Sequence, residues 1–254
     1  MSSGEHLSNE YAREYYDAQV GPLSSYEEQR WHTDPVREFE YNQTKRALSA
    51  ALLGRTDGKA LEIGPGDGVW TSLIREHVSG PMHLVEQSQE MLTRAQARLA
   101  ALQGLTFERA DFLASTPAAG NDLIVAVRCF EYFEDKEGAL KKMRGLLSPG
   151  GRIVIITKNP QMITSVPAQS KTLHQGQVSR TQMRGLAAAT GLRVVDIYPA
   201  ILRLKATRAF MRSFFDVLHR AAVTTRGLLV VPFLNTYATE SYVYVLCADT
   251  HGQN

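Results

Sequence analysis

Short apolar runs alternate along this chain with longer stretches whose apolar residues have helical spacing. Strands are predicted at ALEI (60–63), HLVE (83–86), LTFERADF (105–112), NDLIVAVRCF (121–130), RIVIIT (152–157), LRVVDIY (192–198) and YVYVLCA (242–248). Amphipathic helical stretches separate most of these runs, and strands that alternate with helices form βαβ units with right-handed crossovers. The pattern therefore predicts an α/β fold with a mostly parallel sheet and helices on both faces.

The distribution of charge divides the chain into a core and two flanks. Overall, 28 Lys and Arg residues nearly balance 26 Asp and Glu residues, which argues against a general nucleic-acid binder. Residues 1–40 contain nine acidic and three basic residues, whereas residues 200–230 contain six basic residues and one acidic residue. We therefore predict an N-terminal helical lid (1–45), an α/β core (46–198), a helical cap insertion (199–240) and a closing strand with a tail (241–254).

Three consecutive predicted strands end in residues that suit an adenosine ligand. In an open α/β sheet the ligand lies beyond the carboxyl ends of the strands. The glycines of the GPGDG loop (64–68) after the first strand let the backbone turn sharply and approach a ligand closely. Glu86 ends the second strand, where a carboxylate can accept hydrogen bonds from ribose hydroxyls. Asp111 and Phe112 end the third strand, where they suit the edge and the face of an adenine.

The charges around the glycine loop favour S-adenosylmethionine over a dinucleotide. A dinucleotide site requires GxGxxG, but the position of the third glycine is occupied by Val69. Glu62 before the loop and Asp67 within it would repel a pyrophosphate and attract the sulfonium and ammonium groups of S-adenosylmethionine. A nicotinamide-dependent oxidoreductase is the alternative from another enzyme class.

These residues belong to a longer series that resembles the successive motifs of class I S-adenosylmethionine-dependent methyltransferases. The series comprises LEIGPGDG, Glu86 in HLVEQS, Asp111 in FERADF, the DLIVAVRCFEYFED segment and LLSPGGRIVI. The resemblance covers roughly residues 40–200 and the closing strand. It implies a Rossmann-like sheet of seven strands, six of them parallel, with the last strand antiparallel and inserted between the fifth and the sixth.

The resemblance also implies the cofactor contacts and the role of the N-terminal segment. Arg128 would face the cofactor largely through its backbone, and a lid formed by YYDAQV (15–20) with Arg30 and Trp31 would close over the site. The RCFEYFED stretch lacks the tetrapeptide of amino-directed nucleic-acid methyltransferases, so no nucleic-acid acceptor is predicted. The predicted cofactor-binding residues are Glu62, Gly64, Gly66, Asp67, Glu86, Gln87, Asp111, Phe112, Arg128, Tyr16 and Trp31.

Two residues are candidates for a general base that activates the methyl acceptor. Glu131 lies just past the fourth strand, at the expected mouth of the site, although a solvated carboxylate at a helix start is the alternative. His174 lies in a polar loop predicted to cover the acceptor pocket, although it could be an ordinary exposed histidine. Lys158 and Tyr198 end the fifth and sixth strands and could orient an anionic or aromatic acceptor. No cluster has metal-ligand spacing, so no metal is predicted.

The segment before the last strand is unusually long for this fold. A helical stripe there is predicted from Ile201, Leu204, Met211, Phe215, Leu218 and Ala222, which Phe210 and Phe214 would widen. The stripe predicts a cap that packs on the helices of the sheet and lines the acceptor pocket. The alternative is a basic amphipathic surface, residues 200–234, that contacts an anionic membrane or binds a lipid-linked acceptor.

The sequence therefore predicts a cytoplasmic S-adenosylmethionine-dependent methyltransferase with a small-molecule or lipid-linked acceptor, methylated at oxygen. Cys129 and Cys247 lie in apolar runs and are expected to be free buried thiols, with a bridge between them as the alternative. The protein is expected to be a monomer or a homodimer. Carbon methylation of a quinone-type acceptor and a non-catalytic S-adenosylmethionine-binding module are the alternative functions.

Overall fold

A computed structural model provides the structure, and it describes residues 9–20, 25–54, 58–162, 176–204, 209–227 and 236–249. The helices are α1 (Asn9–Val20), α2 (Pro35–Ala51), α3 (Val69–Arg75), α4 (Gln89–Arg98), α5 (Lys136–Leu146), α6 (Arg180–Ala189) and α7 (Ala209–Thr224). The strands are β1 (Lys59–Ile63), β2 (Met82–Glu86), β3 (Leu105–Arg109), β4 (Asn121–Val127), β5 (Leu147–Lys158), β6 (Leu192–Leu202) and β7 (Thr239–Ala248). Short helical turns cover Glu28–His32 and Phe130–Tyr132.

The strands form one seven-stranded sheet in the order β3-β2-β1-β4-β5-β7-β6. Neighbouring strands from β3 to β5 pair in parallel, whereas β7 pairs antiparallel with both β5 and β6. This topology confirms the Rossmann-like sheet and the position of the inserted last strand. The order reverses beside β1, so the carboxyl ends of β1, β2 and β4 lie at the switch point where ligands bind.

The sheet separates two apolar cores because its central strands are buried on both faces. In β4, Leu123 and Val125 contribute to the core beneath α2, α3 and α4, whereas Ile124 and Ala126 contribute to the core beneath α5 and α6. This alternation follows from the two-residue period of a strand. The continuous apolar run of β4 is therefore explained by helices that cover both faces.

Side-chain caps begin several of the helices. The Ser88 hydroxyl accepts a hydrogen bond from the Met91 N–H and so begins α4. Ser179 and Gln182 form a reciprocal capping box at the start of α6. Such caps satisfy N–H groups that have no partner within the helix, so these helix starts are determined locally.

The N-terminal helices lie over the carboxyl ends of the strands. Asp17 of α1 accepts hydrogen bonds from the Ser88 hydroxyl and the Glu90 N–H, which joins α1 to the start of α4. Trp31 is buried between aromatic rings, with its centroid 5.5 Å from that of Trp70 and 5.9 Å from that of Tyr41. These contacts place the N-terminal segment as a cover for the switch point.

The segment before the last strand begins differently from the prediction. Ile201 belongs to β6 rather than to a helical stripe, because the ladder between β6 and β7 continues to the pair Leu202 and Thr239. The prediction that Phe214 extends the packed face is also wrong, since this side chain is 57% exposed. Phe215 and Ala222 are buried as expected. None of the described residues between 199 and 240 lines the main cavity, so the described part of this segment is not a wall of an acceptor pocket.

Several basic residues of the same segment are engaged within the protein. Arg203 Nε lies 2.6 Å from a carboxylate oxygen of Glu40, and Arg226 donates hydrogen bonds to the Tyr198 hydroxyl and the Ala50 carbonyl. No helix in the described ranges is long and apolar enough to cross a membrane. Peripheral membrane contact stays a prediction. Cys129 and Cys247 are free thiols, each half-buried.

Candidate functional site

A cavity of about 520 Å³ opens at the carboxyl ends of β1, β2 and β4, beneath α1 and the turn Glu28–His32. Its volume lies within the range of about 300–1,000 Å³ that is typical of small-molecule sites. Ten of the eleven predicted cofactor residues line it, namely Gly64, Gly66, Asp67, Glu86, Gln87, Asp111, Phe112, Arg128, Tyr16 and Trp31. Glu62 does not.

The glycine loop adopts a backbone that only glycine accommodates without strain. Gly64 and Gly66 have φ values of 63° and 61°, in the left-handed region that L-residues avoid. A Cβ on Gly64 would lie 2.7 Å from the Cβ of Cys129, so β1 and the turn after β4 approach closely there. A Cβ on Gly66 would meet no atom within 4 Å. The Gly66 backbone therefore borders the open part of the cavity.

Glu86 is held in place by backbone donors from both neighbouring loops. Its Oε2 accepts a hydrogen bond from the Gly66 N–H at 3.0 Å, and its Oε1 accepts one from the Ser88 N–H at 2.9 Å. Burial raises the pKa of this carboxyl, while these donors oppose the shift. Each oxygen retains a second lone pair, so the buried carboxylate can still accept hydrogen bonds from two ribose hydroxyls.

Asp111 and Phe112 form the part of the cavity that suits a nucleobase. Asp111 Oδ1 accepts a hydrogen bond from the Leu113 N–H at 3.0 Å, which fixes the turn after β3. Phe112 is buried, with its ring centroid 5.9 Å from that of Phe133. Gln87 lies on the same wall. Carboxylate, amide and aromatic groups together offer edge and face contacts for an adenine.

Glu62 and Asp67 were both predicted to face the cofactor as negative charges, and neither side chain does so as a free charge. Glu62 is buried away from the cavity, and burial raises its pKa to about 8, so it is protonated at neutral pH. Asp67 lines the cavity, but its Oδ2 lies 3.1 Å from Arg98 Nη2, and Arg98 also pairs with Glu27. The attraction of the loop for a sulfonium is therefore weaker than the sequence indicates.

Tyrosine side chains from the N-terminal segment and from the turn after β4 meet above the cavity. The hydroxyls of Tyr16 and Tyr132 lie 2.9 Å apart and share a hydrogen bond. The Tyr16 ring also makes an edge contact with Tyr26 at 6.3 Å between centroids. Burial raises the pKa of Tyr16 well above its usual value, so the hydroxyl stays protonated. These rings shield one side of the cavity from water.

Four cationic side chains, Arg30, Arg37, Arg128 and Lys158, line another part of the cavity, which we call the cationic wall. Arg30 and Arg37 come from the N-terminal segment, whereas Arg128 follows β4 and Lys158 is the last residue of β5. Lys158 forms no hydrogen bond or close ion pair with any residue that the structure describes. Its burial and the adjacent Arg128 lower its pKa to about 8. The cationic wall is therefore suited to an anion.

Glu131 does not occupy the open mouth where a general base was expected. Its side chain is buried, and its Oε2 accepts a hydrogen bond from the Thr157 hydroxyl at 2.8 Å. Its Oε1 lies 3.3 Å from Arg128 Nε. Since Glu131 does not line the cavity, its carboxylate holds Arg128 in place rather than facing a ligand. The alternative of a solvated carboxylate is also wrong.

The structure does not place His174 or Tyr198, the other residues predicted to contact the acceptor, at the cavity. His174 lies outside the described residues, so its role stays a prediction. Tyr198 is buried away from the cavity, and its hydroxyl donates to the Ala47 carbonyl at 3.1 Å. Within the described ranges, no cluster of three or more His, Cys, Asp and Glu side chains could hold a metal ion.

Comparisons with known proteins identify the fold family. Residues 61–153 match a family model described as a methyltransferase domain. A trans-aconitate 2-methyltransferase from Sinorhizobium fredii is 30% identical over 172 residues, which cover 66% of this chain and 63% of that protein. The N-methyltransferase NodS from Bradyrhizobium japonicum, solved with S-adenosyl-L-homocysteine, superposes with a TM-score of 0.60 at 17% identity, covering 93% and 98% of the two chains. This chain belongs to the class I S-adenosylmethionine-dependent methyltransferases.

A further structure supports the same fold. The S-adenosylmethionine-dependent methyltransferase from Mesorhizobium loti superposes with a TM-score of 0.57 at 18% identity, covering 80% of this chain and 97% of that one. The chain spans less than two thirds of the length of the curated relatives that it matches. The family match and the neighbour solved with S-adenosyl-L-homocysteine identify S-adenosylmethionine as the cofactor.

The residues present fit the cofactor of this family, S-adenosylmethionine. The open space beside Gly66 leaves room for the ligand at the glycine loop, and Glu86 presents its unused lone pairs on β2. We propose that Gly64 and Gly66 border the methionine and the ribose, that Glu86 binds the ribose hydroxyls, and that Phe112 contacts the base. When bound, the cofactor supplies a methyl group that its positive sulfur activates.

The open space beside Gly66 leads to a direct prediction. We expect Gly66→Ala to bind S-adenosylhomocysteine about 5- to 150-fold more weakly, because the added methyl group projects into the ligand space. The free energy of unfolding should fall by only about 1–2 kcal/mol, the cost of a left-handed alanine. Calorimetric titration and chemical denaturation measure the two effects.

Gly120→Ala is the matched control for this prediction. Gly120 has a φ of 84° and also lacks neighbours within 4 Å of its would-be Cβ, but it lies outside the cavity. Its variant should lose similar stability and keep the affinity for S-adenosylhomocysteine. Equal losses of affinity in both variants would show that the ligand does not approach Gly66.

The sequence did not reveal the full cationic wall. Arg37 and Tyr132 had no assigned role, and Arg30 was expected only as part of a lid. One signal was available, because Arg128 and Lys158 lie at the carboxyl ends of β4 and β5, which are adjacent in the sheet. The arginines of the N-terminal segment carry no comparable signal, since they occur in an acidic region whose docking depends on tertiary contacts.

Proposed function

We propose that this protein transfers the methyl group of S-adenosylmethionine to a carboxylate oxygen of a small organic acid. The cationic wall is the observation that carries the proposal, because four positive side chains border the same cavity as the cofactor residues. Guanidinium and ammonium groups bind carboxylates through charge-assisted hydrogen bonds. A relative that is 30% identical is named for trans-aconitate, an organic acid anion, which supports the same class of acceptor.

A carboxylate acceptor also agrees with the buried position of Glu131. A carboxylic acid is ionised at neutral pH, so its oxygen already carries the lone pair that attacks the methyl carbon. As the new oxygen–carbon bond forms, the carbon–sulfur bond breaks and its electron pair stays on sulfur. The products are a methyl ester and S-adenosylhomocysteine. No proton is transferred, so no general base is required.

The protein then accelerates the transfer mainly by orienting the acceptor towards the cofactor and by selecting an anionic acceptor through its positive charges. In this proposal Lys158 holds the carboxylate beside the cofactor, and Tyr16 and Tyr132 restrict water above it. Fixing two reactants in line can lower a barrier by several kcal/mol, about 7–11 kcal/mol at most. The cationic wall does not favour an uncharged quinone-type acceptor, the alternative that would need proton removal from carbon.

The test uses S-adenosylmethionine with a labelled methyl group and a panel of organic acids. We expect a labelled product that releases volatile methanol on mild alkaline treatment, because methyl esters are base-labile. A base-stable methylated product would instead indicate an ether, an amine or a carbon acceptor. Labelled cofactor that binds without any transfer to a panel or a metabolite extract would favour a non-catalytic binding module.

Glu131→Gln separates a positioning role from a catalytic one. We expect kcat to stay within about tenfold of the unchanged protein, whereas loss of a general base would cost about 10²–10⁴-fold. The free energy of unfolding should fall by about 1–3 kcal/mol, because Arg128 loses one buried charged partner. Stability and kcat are measured on the same preparation. A large loss of kcat with unchanged stability would contradict the positioning role.

A further inference from the structure

The surroundings of the cationic wall contain more positive than negative side chains. Nine charged groups described by the structure form this acceptor-end cluster: Arg30, Arg37, Arg128, Lys158, Arg203, Glu40, Glu131, Glu240 and the exposed Asp34, which interacts with Arg37 and Arg203. With the lysine protonated, five positive and four negative charges leave a net positive charge beside the cavity. Such an excess attracts anions.

Three of the positive groups share one carboxylate on α2. Glu40 is buried, and its Oε1 lies 2.6 Å from Arg203 Nε. Its Oε2 lies 3.3 Å from Arg37 Nη1 and 3.9 Å from Arg30 Nη1. A single carboxylate can neutralise only one of these guanidinium groups. Arg203 is its closest partner and does not line the cavity, so Arg30 and Arg37 retain positive charge that faces the ligand space.

Arg30 is the least compensated of these groups. Its Nη1 atom is buried and has no hydrogen-bond partner within the described ranges. Burial lowers the pKa of Arg30, and repulsion from Arg128 and Arg37 lowers it further. A guanidinium among other cations is stabilised when an anion binds next to it. The Nη1 group of Arg30 is therefore able to donate a hydrogen bond to a bound anion.

The cations that follow the strands are arranged separately. Arg128 lies between Glu131 and Glu240, with its Nη1 atom 3.7 Å from Glu240 Oε1, so its charge is largely compensated. Lys158 has no close partner in the described part of the chain. The cavity is thus bordered by a cation without a close ion pair at the end of β5 and by two guanidinium groups on the N-terminal segment that are only partly compensated by Glu40.

We propose that the methyl acceptor carries two anionic groups, of which Lys158 binds the one that is methylated and Arg30 and Arg37 bind the other. The two anionic groups are assigned in this way because the three side chains come from different parts of the fold. Lys158 extends from the strand next to β4, whose end lines the cofactor cavity, while Arg37 is 45% exposed and lies at the entrance. The proposal rests on the proposed function for the transfer step, but the second binding site can be tested by binding alone.

Methylation would then also promote product release. The ester formed at one carboxylate is uncharged, so the product has one negative charge fewer than the acceptor. The excess positive charge of the acceptor-end cluster attracts the dianion more strongly than the resulting monoanion. A half-ester is therefore expected to bind more weakly than its parent diacid, even though it has the same carbon skeleton and additional apolar surface.

The experiment measures binding to the protein loaded with S-adenosylhomocysteine. Saturated and trans-unsaturated dicarboxylates of increasing length are compared with their methyl half-esters and with monocarboxylates of equal length. The same titrations are made with Arg30→Gln, Arg37→Gln and the double variant. Arg193→Gln is the matched control, because Arg193 is exposed on β6 and lies outside the cavity.

We expect at least one dicarboxylate to bind about tenfold or more tightly than its half-ester and its monocarboxylate counterpart. Each arginine substitution should remove most of that difference while changing monocarboxylate affinity by less than about threefold. Arg193→Gln should change neither value. Equal affinity of diacids and monoacids, no binding of any diacid, or equal losses for both classes in the variants would overturn the proposal.

The experiments distinguish failure of the second binding site from failure of the proposed methyl transfer. Methyl esters formed equally well from monocarboxylates and dicarboxylates would support the transfer and overturn the second binding site. Dicarboxylate binding that depends on Arg30 and Arg37, without formation of any ester, would support the binding site and overturn the transfer.

Discussion

We expect Glu86→Ala to bind S-adenosylhomocysteine about 5- to 150-fold more weakly than the unchanged protein, a loss of about 1–3 kcal/mol. The carboxylate is buried at the end of β2 and retains a lone pair on each oxygen for a ribose hydroxyl. Alanine removes both acceptors. It also leaves the Gly66 and Ser88 N–H groups without their partner, so the glycine loop loses part of its support.

Two further variants separate ligand binding from support of the loop. Glu86→Gln keeps one acceptor oxygen for a backbone N–H group but has no charge, so it should retain most of the stability and show an intermediate affinity. Glu76→Ala removes an exposed carboxylate outside the cavity and should leave both quantities unchanged. Calorimetric titration with S-adenosylhomocysteine and chemical denaturation provide the two measurements. Unaltered affinity in Glu86→Ala would place the ribose elsewhere.

We expect Lys158→Gln to lower kcat/KM for the organic acid about 10- to 100-fold, because a charge-assisted hydrogen bond to the reacting carboxylate is lost. Lys158 is the cation of the wall without a close partner in the described structure. The affinity for S-adenosylhomocysteine should change by less than about threefold, since the nucleoside residues lie on other strands. Lys141→Gln, an exposed substitution on α5, is the control.

The same lysine predicts a pH dependence of acceptor binding. Burial and repulsion from Arg128 and Arg30 lower the pKa of Lys158 to about 8, while Glu240 and Glu131 act in the opposite direction. The ammonium group is present below this pKa and lost above it, so affinity for an organic acid should fall as the pH rises through about 8. Lys158→Arg should abolish this step, because a guanidinium remains charged throughout this range.

Acceptor titrations at several pH values test this expectation with the two variants side by side. Lys158→Gln should bind weakly at every pH, and Lys158→Arg should bind without a step near pH 8. If the unchanged protein showed the step and Lys158→Gln retained it, the titrating group would be another residue. The assignment of Lys158 to the reacting carboxylate would then be lost.

The local features of this protein were predictable from the sequence because they depend on neighbours along the chain. The continuous apolar run of β4 and the flanking helical stretches indicate a strand that is buried on both faces. Ser88 and Ser179 mark helix starts because a hydroxyl can cap only N–H groups within three residues. Most of the predicted cofactor residues were also accessible, since they lie at or just after the ends of strands that meet at one edge of the sheet, whereas Tyr16 and Trp31 of the N-terminal segment came only from the family resemblance.

The sequence-based predictions were wrong for residues whose surroundings are formed by segments that are distant along the chain. Glu131 follows β4 as expected, but Thr157 and Arg128 draw its carboxylate away from the cavity. Glu62 occupies a position where the sequence suggests a charge, but burial keeps it protonated at neutral pH. Ile201 has helical spacing relative to later residues, but pairing with β7 extends the strand through it. The spacing of apolar residues along the chain carries no information about these tertiary partners.

The sequence by itself determined the family, the sheet and the residues at the ends of its strands, because alternating hydrophobicity, caps and glycine turns act over a few residues. Only the tertiary structure decided which charges are neutralised and which remain open to a ligand. Glu40, Arg203 and Arg30 are far apart along the chain, and their balance exists only after α2 and the turn before it cover the sheet. The chemistry of the acceptor site depends on this long-range pairing of charges, since attraction between charges depends on their distance in space and on their burial.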